Sequence, residues 1–101
     1  MNFNDQTKFK IEETVAFVKD QAKDQYNIIL LDSADEDDAD KVFIAKGTSF
    51  HIWENIINEK TYAQLMDYMQ NTFEPFGEVE KQQVDEFLTK VIQKGFVICQ
   101  D

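Results

Sequence analysis

The stretch Lys41-Val42-Phe43-Ile44-Ala45-Lys46-Gly47-Thr48-Ser49-Phe50-His51-Ile52-Trp53 changes its period in the middle. Lys41 to Ala45 is a short apolar run rich in strand-forming types. After Gly47, the apolar residues Phe50, Trp53, Ile56 and Ile57 recur at helical spacing. Thr48 or Ser49 is placed to cap that helix by accepting a backbone N–H. Upstream of this switch the chain reads as strand and downstream as helix. Strands first and helices after define an α+β domain rather than alternating βαβ units.

Upstream, Thr14 to Lys19 and Asn27 to Asp32 read as two further strands. Between the second and third strands lies Ser33-Ala34-Asp35-Glu36-Asp37-Asp38-Ala39-Asp40. Like charges repel and Asp forms strands poorly, so this run reads as an exposed loop. Residues 1–13 are polar and read as a flexible N-terminal arm, with Phe3, Phe9 and Ile11 as anchors; residues 14–101 then form one domain. Downstream, Thr61 with Gln64 makes a capping-box pattern, so a second helix starts there, striped by Tyr62, Leu65, Met66, Met69 and Phe73. Pro75 and Gly77 close it. A third helix spans about 79–94, with Gly95 at a left-handed C-cap position. Phe96-Val97-Ile98-Cys99 reads as a final extended piece against the core, with Cys99 a buried structural thiol.

The chain has 101 residues and 43% hydrophobic content, enough for one modest core. Its Lys and Arg together number 10, all of them Lys, against 20 Asp and Glu, for a net charge of −10. Phosphate backbones and anionic lipid surfaces are bound by basic faces, and base edges are read above all by Arg. Neither nucleic acid nor a membrane is therefore an expected partner. One Cys and one His exclude a disulfide within the chain and any Cys- or His-rich metal centre. With no secretory signal and no apolar run of spanning length, the expected setting is the cytoplasm.

Nothing in the sequence points to catalysis, and no cofactor is expected. The acidic run lacks the ligand spacing and the Gly of a calcium loop. Ser49 and His51 are two apart, a spacing that does not bring helix side chains together, and no nucleophile elbow is present. His51 reads as a surface residue, and no Gly-rich phosphate cradle appears.

Two irregularities suggest binding instead. All three strands carry adjacent apolar residues, so the sheet reads as apolar on both faces. Either the helices cover both faces or another chain covers part of one. The third helix is also lopsided. Val84, Phe87 and Val91 form its central stripe, Leu88 and Ile92 extend one shoulder beside Lys81 and Asp85, and the other shoulder is polar. A groove between the apolar shoulder and a strand edge would suit an extended peptide.

In order along the chain, Ile28-Ile29-Leu30-Leu31-Asp32, Val42-Phe43-Ile44, Phe50-His51-Ile52-Trp53-Glu54-Asn55-Ile56, Thr61-Tyr62-Ala63-Gln64-Leu65, Val84-Asp85-Glu86-Phe87-Leu88 and Gly95-Phe96-Val97 resemble the PqqD family. The resemblance covers about residues 14–99. It implies a winged-helix-like domain, a three-stranded antiparallel sheet followed by three helices. It further implies a non-catalytic, peptide-binding adaptor, a recognition element of ribosomally made and modified peptides. Such a protein binds the leader of a precursor peptide as an added strand and presents it to a modifying enzyme, of the radical-SAM type in PqqD's own pathway.

Carried onto this chain, the resemblance places the strand edge at Lys41, Val42, Phe43, Ile44 and Ala45, and the facing helix at Lys81, Asp85, Leu88, Thr89 and Ile92. On that reading Leu88→Glu or Ile92→Glu breaks peptide binding and spares the fold. The alternatives are a structural module that dimerises through its sheet and, against the charge, a winged-helix nucleic-acid binder.

Overall fold

Register explains how the apolar strands fold. The computed structural model describes residues 3–30 and 42–100. Strands β2 (Val15–Asp20), β3 (Gln25–Leu30) and β4 (Phe43–Lys46) form an antiparallel sheet in the order β2-β3-β4. The turn from β2 to β3 is held by the Asp20 carboxylate, which accepts from the Ala22 N–H at 3.1 Å. Pairing aligns Phe17, Ile28 and Phe43 in one row, and Val18, Asn27 and Ile44 in the next. Successive rows point to opposite faces. The first row faces the core, where Ile28 is fully buried. The second faces outward, with Val18 66% and Ile44 51% exposed.

Three helices follow, α1 (Thr48–Ile57), α2 (Tyr62–Thr72) and α3 (Glu78–Gln93). The order is that of an α+β domain, three antiparallel strands and then three helices. Helix α1 lies on the inner face of the sheet. Trp53 is completely buried and meets Phe17 edge-on at 5.7 Å, while Phe50 stacks on Tyr26 at 5.1 Å. Helix α2 starts on the expected capping box: the Thr61 hydroxyl accepts from the Gln64 N–H, and the Gln64 side chain accepts from the Thr61 N–H. Gly95 follows α3 at φ 81°, a conformation that favours glycine. On the outer face Val18 and Ile44 are exposed while Ala16 and Ile29 are half-buried, so the two-faced apolar pattern is sealed on its inner side and partly open on its outer.

The N-terminal segment departs from expectation. Lys8–Ile11 is not a loose arm but a strand, β1, paired antiparallel with β5 (Val97–Gln100) in a second, two-stranded sheet. Phe9 is 2% exposed within the common core, and Phe3 packs against Phe9 and Tyr62. The Thr7 carbonyl accepts from the Tyr62 N–H at 2.7 Å, tying this segment to the start of α2. Cys99 is exposed on β5 rather than buried, because Phe96 and Val97 are the residues of that tail that turn inward. The acidic run Ser33 to Asp40 and the expected strand ends Leu31, Asp32 and Lys41 lie outside the described residues.

Candidate functional site

Strand β4 is the last strand of its sheet, and among the described residues only β3 pairs with it. An edge of this kind presents backbone N–H and C=O groups to any extended chain that approaches. Its side chains divide as pleating requires. Phe43 is half-buried and Ala45 sealed, while Ile44 and, just before the strand, Val42 are 51% and 47% exposed. Lys41 lies outside the described residues.

Helix α3 supplies the neighbouring wall, but with a different flank from the one expected. The Phe43 ring lies 6.0 Å from Phe87 and 5.6 Å from Phe96. The Lys90 and Lys94 ammonium groups sit 5.3 Å and 5.7 Å from its centre. The flank of α3 that meets β4 is therefore Phe87, Lys90 and the C-cap Lys94.

The expected flank turns elsewhere. Asp85 lies roughly 160° around the helix from Phe87, at about 100° per residue. It accepts a 2.6 Å hydrogen bond from the Tyr62 hydroxyl of α2. Leu88 has no exposed surface and belongs to the core, so it cannot touch a guest. Ile92 is half-buried against the same core. Thr89 lines a shallow depression on the solvent side of α3 with Gln82, Asp85, Glu86, Lys90 and Gln93. Lys81 shares the Asp85 shoulder of the helix. The apolar shoulder of α3 is consumed by the protein's own packing, and the polar shoulder is the one beside the strand edge.

Other polar groups make structural contacts. The Lys19 ammonium meets Glu54 Oε1 at 2.9 Å, and the Tyr26 hydroxyl donates to the same oxygen at 3.2 Å. Burial, then the Glu54 charge, pushes the Tyr26 phenol above its ordinary pKa; the Glu54 hydrogen bond raises that of Lys19. His51 is half-buried between helices, 2.9 Å from the Tyr68 hydroxyl and edge-on to Phe73. It is not paired with Ser49. Among the described residues no group of three His, Cys, Asp or Glu is placed to hold a metal, and no helix is long and apolar enough to cross a membrane.

The sequence reading missed Lys90 and Lys94 as site residues, although their flank was visible as the polar shoulder of the helix; Phe87 is the core residue expected, 8% exposed. The signal that finds them is aromatic: Phe43, Phe87 and Phe96 can only meet if that flank faces β4. No protein-family model, no curated protein and no solved structure matches the chain.

Proposed function

We propose that this protein is a non-catalytic peptide-binding adaptor that takes up an extended segment of a partner peptide along the open edge of β4. The observation that carries the reading is that edge, unpaired among the described residues, with exposed Val42 and Ile44 beside it. Main-chain pairing supplies a sequence-tolerant part of the affinity, and side chains of the guest lying beside Ile44 and Phe43 supply selectivity. The resemblance to the PqqD family makes the partner the leader of a precursor peptide, presented in the cytoplasm to a modifying enzyme such as a radical-SAM protein. A short open reading frame beside a gene for such an enzyme, next to this protein's own gene, supports the presenting role; a neighbourhood without either counts against it.

Backbone amide NMR tests the binding mode. Peptides selected from a randomised display library on the full chain are titrated into labelled protein. Shift changes and slowed amide exchange concentrated on Phe43–Lys46 are expected. Selected peptides that instead perturb β2 or the exposed side of α2, or a library that yields no binder, would overturn the reading.

A second reading rests on the outer sheet face. Val18 and Ile44 flank Asn27 in one exposed row, an apolar strip that a second copy of the chain would cover. On this reading the protein is a dimerising interaction module. Light scattering decides it: a dimer that Val18→Lys and Ile44→Lys dissolve supports self-association, and a monomer at high micromolar concentration removes it.

A further inference from the structure

The lysines beside β4 narrow the class of guest, given the strand-addition reading on which this inference rests. From Phe87 to Lys94, α3 and its cap carry Lys90 and Lys94 and no carboxylate; β4 carries Lys46 and none. The acids of the helix, Glu78, Glu80, Asp85 and Glu86, all precede Phe87. In a chain with net charge −10, these stretches of α3 and β4 carry lysines as their only charged residues.

Among the described residues, neither Lys90 nor Lys94 is in an ion pair. Both ammonium groups lie within 6 Å of one aromatic ring, at 5.3 Å and 5.7 Å from the Phe43 centre. Among the described residues the one ion pair is that of Lys19 with Glu54. Two like charges gathered on one half-buried ring repel each other, and an anion beside them would relieve that repulsion. A helix C-terminus accounts for one favourable cation near its last turn. It does not require both amines to converge on the ring that adjoins the open edge.

We infer that the guest of β4 is an acidic peptide strand, whose carboxylates face Lys90 and Lys94 while alternate aliphatic side chains lie beside Ile44 and Val42. Strand pleating produces this division: side chains of an added strand point alternately toward α3 and toward the outer face. The unpaired backbone edge favours an extended peptide over a compact anion, because a free phosphate would use the amines and leave the edge unfilled.

Charge reversal tests the inference. A display library of randomised twelve-residue peptides is selected on the full chain and on the Lys90→Glu/Lys94→Glu variant. Both lysines are exposed, so the variant is expected to keep the far-ultraviolet circular dichroism of the parent. The parent should enrich Asp and Glu at every second position, with apolar residues between them. The reversed variant should enrich Lys at those same positions. For one peptide selected on the parent, Lys90→Gln/Lys94→Gln should weaken binding about tenfold by fluorescence anisotropy, with the difference shrinking as salt rises. Parent-selected strands with no acidic bias, or the same peptides selected by both proteins, overturn the acidic guest and leave strand addition standing. No enrichment by either protein overturns both.

Discussion

The Tyr62 hydroxyl donates to Asp85 Oδ1 at 2.6 Å, joining the first turn of α2 to the middle of α3. Burial, and then this bond to a carboxylate, holds the Tyr62 phenol well above its ordinary pKa of 10.0. The phenol therefore ionises more readily in the unfolded chain than in the folded one. Its contribution to stability is intact below about pH 10 and is lost as pH rises toward the folded value. Urea melts should show stability falling steeply above about pH 10. Tyr62→Phe should cost about 1 kcal/mol at pH 7 and make that alkaline fall shallower. Equal slopes for the two proteins would remove Tyr62 as the cause.

The environments of Leu88 and Ile44 predict opposite outcomes for the same charge. Leu88→Glu places a carboxylate in a site with no exposed surface and should cost about 4 kcal/mol or more, unfolding the domain rather than sparing it. Ile44→Glu, at a site 51% exposed, should change the melting midpoint little, within about 0.5 kcal/mol. On the acidic-guest inference it should also weaken peptide binding. Thermal melts of the two variants check the first pair of outcomes without any ligand.

Phe9 reports on the N-terminal strand. Phe9→Ala should cost about 3 kcal/mol, because a core ring that is 2% exposed leaves a cavity. Residues in a loose arm would change stability by a few tenths at most. Denaturant titration distinguishes the two.

Gly95 offers a backbone test. A Cβ there would meet nothing within 4 Å, yet φ is +81°. Gly95→Ala should therefore destabilise by about 1 kcal/mol through conformational strain alone. A larger loss would point to a clash that the open space does not contain.

Much of the domain was legible because local chemistry and tertiary packing agree there. The switch at Gly47, the Thr61–Gln64 box and the left-handed Gly95 are signals carried by neighbouring residues. β1 was not legible: Lys8-Phe9-Lys10-Ile11 alternates polar and apolar over four residues only, and its partner Val97–Gln100 lies at the far end of the sequence. The same segment bears on the candidate site. Asp85, on the apolar shoulder of α3, binds a tyrosine that the same segment fastens in place, so that shoulder is claimed from within the fold. Periodicity shows how wide an apolar stripe is, but not which neighbour covers each side of it.

The pairing of β1 with β5 sets Lys8 opposite Gln100, at the roughly 5 Å spacing of adjacent strands. Joining the end of β5 by a linker to the segment that begins at Phe3, and opening the chain between α1 and α2, would give a circular permutant in which the two strands are close in sequence. The most distant contact of the native order would then be among the nearest, and folding should accelerate while the architecture stays the same.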